Sequence, residues 1–444
     1  AGFEEISSYC DVNSAAINSN ENAQVKPWKE IPGPSSWPIL GQLLHFLPGG
    51  SLSDTVKMAE ILYKKYGPIV RLDGLFGSPT LIFLMDAEAC AQIKKYRFLF
   101  SHGETWRKFR STVNPIMLHS KTIKLYSNIL DEVAEDMVAR MKSKRNDKNM
   151  IEDKFDVEMN LWALESIGVV ALGGRLNCFD PNLPEDSPAR KLIQTVHDIF
   201  KMADKLDFKP SLWRYIPTPT YYKAIKSREQ YKTKENKSDD EKGILEKLLE
   251  IDEKMAVIMA SDMLLAGVDT VSSLSISTFY LLAKNPEKQQ KLREEILSRS
   301  ERKPYLKACI KESLRVMPVV AGNLRLTTKE YDVLGYRIPK NVSILSDQHY
   351  PRAEEYIPER WLVEKTDPLH YGNAHPFAYN PFGFGVRSCI GRRIAELELE
   401  TFLSKHALRS QKPHIGGPER QEGFGGYYSL GFLTSREYNE KSLC

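Results

Sequence analysis

The stretch that decides the fold is Phe382-Gly383-Phe384-Gly385-Val386-Arg387-Ser388-Cys389-Ile390-Gly391. Its cysteine stands between a glycine-rich loop and a predicted helix, so the N–H groups of the first helical turn would point at the sulfur and, with Arg387, favour a thiolate. Gly385 and Gly391 let the backbone approach a flat ligand closely, and Phe382 would shield the sulfur from water. These features suit a thiolate that binds a metal ion. A surface loop with an ordinary buried cysteine explains them equally well.

Composition excludes several classes of protein. The 444 residues are 42% hydrophobic and 27% charged, as in ordinary globular proteins. A net charge of +4 is too small to indicate nucleic-acid binding. The six cysteines are scattered without a CxxC pair, which argues against a disulfide scaffold or a zinc knuckle and favours a reducing compartment.

The patterning predicts a fold that is mainly α with a minor β-sheet (α+β). We expect a flexible N-terminal lead over residues 1–30 and one domain over 31–444. Helical periodicity covers 51–66, most of 103–205, 244–298 with a break at Asn285-Pro286, 303–316 and 389–406. Short strands are expected at 69–72, 80–84 and within 323–346. The apolar run 257–283 contains Asp262 and Asp269, so we expect a buried core helix rather than a membrane span.

An acid and an alcohol lie side by side in that apolar run, within Ala266-Gly267-Val268-Asp269-Thr270. Thr270 can donate a hydrogen bond to a carbonyl one turn earlier and loosen the helix, which would make room for a ligand. The two side chains could then relay protons. The alternative is a satisfied core aspartate beside a threonine that merely packs.

Two further pairs have helical spacing. Glu312 and Arg315 are three residues apart, and Trp106 and Arg110 are four apart, so each pair shares one helix face. Taken alone, Glu312 and Arg315 would be an ordinary surface pair. A second arginine motif, Pro358-Glu359-Arg360-Trp361, follows later in the chain.

The pattern FxxGxRxCxG resembles the haem-binding loop of the cytochrome P450 family, and every fixed position matches. The following Gly391-Arg-Arg-Ile-Ala-Glu-Leu-Glu398 resembles the mitochondrial branch, most closely the insect mitochondrial enzymes. The other motifs follow in the family's order across nearly the whole chain. The resemblance implies a single-domain cytochrome P450 fold and a haem b cofactor whose iron is bound by Cys389.

The resemblance also assigns roles to the remaining motifs. Asp269 and Thr270 would be the catalytic acid–alcohol pair above the iron, with Gly267 leaving space for oxygen and substrate. Glu312, Arg315 and Arg360 would form a buried structural network that fixes the cysteine loop. Further cofactor contacts would come from Trp106, Arg110, Arg325, Phe382, Arg387 and Gly391, the arginines binding the haem propionates.

The resemblance implies a monooxygenase that inserts one oxygen atom from O2 into a small lipophilic substrate. Lys307, Lys311, Arg392 and Arg393 would bind a mitochondrial ferredoxin, which receives electrons from its reductase; a merely solvated basic face is the alternative. The chain begins with Ala and lacks a transit-peptide composition, so we expect a targeting signal to have been removed. The expected location is peripheral, on the matrix side of the inner mitochondrial membrane.

Several segments are shorter than the family's pattern, above all between Phe98 and Trp106, between 219 and 243, and around 300–303 and 346–350. The loss would affect substrate binding more than haem binding. A non-catalytic haem- or ligand-binding protein on the same scaffold is therefore the second hypothesis.

Overall fold

The computed structural model describes residues 25–37, 42–46, 49–52, 58–73, 80–94, 103–147, 151, 155–180, 182, 243–298, 302–320, 323–327, 329–340, 342–346 and 355–409. The described helices are α1 Leu43–Phe46, α2 Met58–Tyr66, α3 Ala87–Lys94, α4 Gly103–Met117, α5 Ser120–Lys124, α6 Ser127–Ser143, α7 Phe155–Leu172, α8 Ile244–Ile251, α9 Glu253–Lys284, α10 Pro286–Leu297, α11 Pro304–Val316 and α12 Arg392–Arg409. The strands are β1 Lys26–Pro27, β2 Ile69–Leu72, β3 Leu81–Leu84, β4 Asn323–Leu326, β5 Tyr331–Val333, β6 Tyr336–Ile338 and β7 Ser343–Ser346. The α+β prediction with few strands is confirmed.

The strands form two small sheets. One has the order β2-β3-β7-β4, in which only the β3–β7 pair is parallel. The other has the order β1-β6-β5. Its β5–β6 hairpin turns through Leu334 and Gly335, both with positive φ, which is the backbone that a two-residue hairpin turn requires.

The main core lies where α7, α9 and α12 meet. α7 is buried on nearly every face, which requires an all-round apolar sequence. Trp162 of α7 stacks on Phe402 of α12 with ring centroids 4.3 Å apart. Phe279 of α9 meets the same Phe402 edge-on at 5.6 Å. Aromatic contacts of this kind add to the burial of apolar surface and lock the three helices together.

One described helix segment, Ile258–Lys284 of α9, has the length and composition of a membrane span. It packs along α7, and Val268, Val271 and Leu274 are buried in the main core. This packing supports the prediction of a core helix. α9 ends at Lys284 and α10 begins at Pro286, as the Asn285-Pro286 break predicts.

Three predicted boundaries need correction. The predicted lead over 1–30 contains β1, which pairs with β6, and residues 1–24 of that lead lie outside the described residues. The first helix is described from Met58, while Ser51 and Leu52 form a turn. The last helix starts at Arg392 rather than Cys389, because its first hydrogen bond of helical spacing runs from the Ala395 N–H to the Gly391 carbonyl. The predicted linker 225–243 lies outside the described residues except for Gly243.

Candidate active site

The cysteine loop is closed by its own backbone. The Cys389 N–H donates to the Phe382 carbonyl at 2.7 Å, and the Ser388 N–H donates to the Gly385 carbonyl at 2.9 Å. Gly383 and Gly385 have φ values of 74° and 68°, a region that favours glycine. The loop therefore holds the cysteine at a fixed place ahead of α12.

The sulfur of Cys389 faces the N-terminus of α12. The N–H groups of Gly391 and Arg392 lower the pKa of the thiol, as predicted, and the charges that add to this effect are those of Arg110 and Arg392 rather than the predicted Arg387. Burial acts in the opposite direction and is the larger effect, so the pKa of the Cys389 thiol is raised on balance. The residue nonetheless keeps an exposed surface. The helix N-terminus and neighbouring arginines therefore favour the thiolate, while desolvation opposes them.

Two guanidinium groups lie beside the cysteine loop. Arg110 Nη2 donates to the Ser388 carbonyl at 2.6 Å. The Arg387 guanidinium lies 3.4 Å from the centroid of the Trp106 ring, close enough for a cation–π contact. α4 carries Trp106 and Arg110 one turn apart, so their spacing brings both to the loop, as predicted.

Glu312 is the centre of a buried ion network. Its carboxylate accepts from Arg315 Nη2 at 2.9 Å, from Arg360 Nε at 3.0 Å and from Trp361 Nε1 at 2.9 Å. The Ile357 N–H is a further donor at 2.9 Å. The side chains of the three charged residues are at most 3% exposed. The structure thus brings Glu312, Arg315 and Arg360 together and rejects the surface-pair alternative.

The acid–alcohol pair lies in the middle of α9. Thr270 Oγ1 donates to the Ala266 carbonyl at 2.6 Å, as predicted, but α9 remains α-helical throughout. A Cβ at Gly267 would lie 2.7 Å from Ile167 Cγ1, so the glycine permits close packing of α9 on α7. Desolvation raises the pKa of Asp269 to about 6.

Comparisons with known proteins agree with this geometry. The cytochrome P450 family profile matches residues 88–409. Cytochrome P450 CYP12A2 of Musca domestica is 37% identical over 466 aligned positions, covering 87% of this chain and 86% of that protein. The chain belongs to the cytochrome P450 family. The probable mitochondrial cytochrome P450 12c1 of Drosophila melanogaster is 35% identical, with 84% of each chain covered.

The fold of this P450 is also that of a solved relative. A cyanobacterial P450, CYP120A1, solved with bound retinoic acid, matches with a TM-score of 0.67 and 19% identity over 86% of this chain and 92% of that one. As a cytochrome P450, the protein is a monooxygenase whose cofactor is haem with a thiolate-bound iron. The predictions of family, fold, enzyme class and cofactor are confirmed.

The residues beside the loop fit this cofactor. Haem propionates are anionic and need buried donors. Arg110 Nε is buried and has no hydrogen-bond partner within the described part of the protein. One turn further along α4, the Asn114 Oδ1 atom is buried and equally unpartnered there. Sequence reasoning missed Asn114, although its spacing of four from Arg110 places it on the same helix face.

Three predicted cofactor residues are placed less directly. Phe382 packs against the main core, and its ring centroid lies 5.3 Å from the Arg392 guanidinium. Gly391 precedes α12, and a Cβ there would lie 3.9 Å from Cys389 Sγ. Arg325 lies in β4 opposite Ile344 of β7, and its side chain is outside the described part of the structure.

The predicted partner-binding residues lie on two packed helices, Lys307 and Lys311 on α11 and Arg392 and Arg393 at the start of α12. Arg393 Nη1 donates to Ser120 Oγ at 2.5 Å. Lys307 and Lys311 are one turn apart, and Arg392 is close enough to lower the pKa of Lys311. The structure therefore brings Lys307, Lys311 and Arg392 close together, while Arg393 reaches Ser120 of α5.

Glu398 is a further feature that sequence reasoning left unassigned. It lies in the buried stripe Ile394, Glu398, Phe402 of α12. Neither of its carboxyl oxygens has a hydrogen-bond partner among the described residues, and desolvation raises its pKa to about 8. An acid at a core position of an otherwise apolar helical stripe was the available signal.

Proposed function

We propose that this P450 is a mitochondrial monooxygenase in which Cys389 is the axial iron ligand and a ferredoxin with its reductase supplies the electrons. The observation that carries the proposal is the position of Arg110, which binds the Ser388 carbonyl of the closed cysteine loop and lowers the pKa of the Cys389 thiol, while Arg387 of the same loop stacks on Trp106. The substrate would be small and lipophilic. Several similar insect P450s are named mitochondrial, which supports the location.

The cofactor would be held from two sides. Cys389 would bind the iron, while Arg110, Arg387 and Trp106 would bind the propionates, with Arg325, Phe382 and Gly391 as further contacts. The Glu312 network would keep the loop in place, since Arg315 and Arg360 join α11 to the segment before the loop. When bound, the haem supplies dioxygen activation and oxygen insertion.

Asp269 and Thr270 would move protons at the substrate side. A carboxyl with a pKa of about 6 carries a proton in part of the molecules near neutral pH and can exchange it. The Thr270 hydroxyl donates to the Ala266 carbonyl, so its oxygen remains able to accept a hydrogen bond from a ligand. We expect Asp269→Asn to slow product formation about 100-fold while leaving haem binding intact.

Electrons would enter at the face formed by Lys307, Lys311, Arg392 and Arg393. A basic face attracts an acidic ferredoxin and makes docking dependent on salt. Peripheral membrane contact on the matrix side fits the exposed Trp37, which is 56% accessible, and the exposed Leu44.

The test is the carbon monoxide spectrum of the reduced, haem-loaded protein. We expect a strongly red-shifted Soret band, its loss in Cys389→Ala, and its retention in Cys90→Ala, a control at a buried cysteine of α3. Retention in Cys389→Ala would refute the ligand assignment. A red-shifted band without product in a lipophilic-substrate screen with ferredoxin and reductase would favour the non-catalytic alternative.

A further inference from the structure

The cations on the redox face are engaged by side chains of the same protein. Along α11 and its N-cap, Lys303, Lys307 and Lys311 repeat every four residues and face α12. Lys303 Nζ donates to Ser404 Oγ at 3.1 Å, and Lys307 Nζ lies 3.5 Å from Glu400 Oε1. The residue numbers rise on α11 as they fall on α12, so the two helices are antiparallel. We call this row of side-chain contacts between them the ladder.

The ladder continues to the cysteine end of α12. Arg392 Nε donates to Glu396 Oε1 at 2.9 Å, one turn along the same helix. Glu396 is also close enough to Lys311 to raise its pKa, against the larger lowering effects of burial and Arg392. Lys311 Nζ lies 5.5 Å from the Trp361 ring centroid. Glu396 and Glu400 thus sit among the cations that would receive a redox partner.

These two carboxylates oppose docking of an acidic protein in two ways. Their own charges repel acidic groups on the partner, and their ion pairs with Arg392 and Lys307 must be exchanged when the partner binds. Both pairs are partly exposed, with Lys307 57% and Arg392 54% accessible, so the exchange is inexpensive and reversible. The charge repulsion is the larger and salt-sensitive effect.

We propose that Glu396 and Glu400 act as an intramolecular counter-charge that lowers the affinity of the redox face for its acidic partner. This inference rests on the proposed ferredoxin-dependent function. Because a ferredoxin delivers electrons singly, it must leave and be replaced between deliveries. A counter-charge that keeps docking weak allows this exchange.

The experiment compares the haem-loaded protein with Glu396→Gln, Glu400→Gln and the double variant. The probe is a purified acidic [2Fe–2S] ferredoxin from insect mitochondria, with Kd and association rate measured at about 0.05 M and about 0.5 M salt. We expect about threefold tighter binding for each single variant and about tenfold for the double variant at low salt. The gain should come mainly from faster association and should nearly vanish at high salt.

Glu60→Gln is the matched control. Glu60 also pairs with a cation one turn away on its helix, Lys64, but α2 packs against the four-stranded sheet. It changes the net charge equally and should leave Kd unchanged. An unchanged carbon monoxide spectrum confirms that each variant is folded.

Each result decides the inference. If the wild type binds ferredoxin in a salt-dependent way but the double variant binds equally or more weakly, the carboxylates order the cations instead, and the inference fails while the proposed function stands. If Glu60→Gln tightens binding as much, net charge and not this ladder is responsible. If no form binds ferredoxin at low salt, the proposed function and the inference fall together.

Discussion

Glu312 and Glu398 are two buried glutamates with opposite hydrogen-bonding surroundings. The Glu312 side chain is 0% exposed and accepts hydrogen bonds from two arginines, an indole and a backbone N–H. Glu398 is 2% exposed, and neither oxygen has a partner among the described residues. Burial alone therefore does not set the charge of a carboxyl. The donors around it do, because they replace the lost hydration.

This contrast separates two uses of a buried acid. Glu312 pairs with two arginines and joins α11 to the 358–361 segment that precedes the cysteine loop. Glu398, with a pKa of about 8, keeps its proton at neutral pH and behaves as a polar but uncharged core residue. The two regions should consequently respond in different ways to mutation and to pH.

Removal of an arginine from the Glu312 network should have the largest effect on stability. Arg360→Ala leaves Glu312 buried with one arginine instead of two, and we expect the free energy of unfolding to fall by about 3–5 kcal/mol. Urea denaturation measures this loss. Arg337→Ala, at an exposed arginine paired with Asp332, is the control and should change little. Equal losses in both variants would contradict a special role for burial.

Replacement of Glu398 by a neutral residue should instead stabilise the protein at high pH. The raised pKa means that the folded state keeps the Glu398 proton up to about pH 8, whereas the unfolded chain loses it near pH 4.5. The wild type should therefore lose stability as pH rises from about 4.5 through about 8. Glu398→Gln should remove this decline and gain roughly 2–4 kcal/mol at pH 9.

Thermal unfolding of wild type and Glu398→Gln across pH 5–9 measures the difference. Glu396→Gln, two residues away at a partly exposed ion pair, is the control and should keep the wild-type decline. Parallel pH profiles for wild type and Glu398→Gln would show that Glu398 has partners which ionise it.

Removal of the neutral Trp361 donor from the Glu312 network should have the smallest effect on stability. Trp361→Phe deletes the Nε1–H that donates to Glu312 but keeps a ring against Tyr371 and Tyr379. We expect a loss of about 1–2 kcal/mol, measured by urea denaturation. Trp37→Phe, at an exposed indole, is the control. A loss as large as that of Arg360→Ala would mean that the indole, and not the charge pairing, holds the network.

The same contrast explains what the sequence could predict. Glu312 and its arginines were found because their types and spacing match a known motif, and Trp106 and Arg110 share a face through simple helical spacing. Glu398 was quoted in a motif, but no local pattern tells whether donors reach a buried acid from other helices. The packing of Gly267 on α7 was missed for a related reason, since its neighbour Ile167 comes from a helix a hundred residues away.

Because of the packing of Gly267, neighbouring positions of α9 differ in whether they can accept a larger side chain. A side chain at 267 would collide with Ile167, so this position is closed to variation. Ala266, the preceding residue, is exposed, and its own carbonyl accepts the hydrogen bond from Thr270. Under the proposed function, we expect enlargement of residue 266 to change substrate preference without disturbing the core, and a mutational library aimed at altered selectivity would start there.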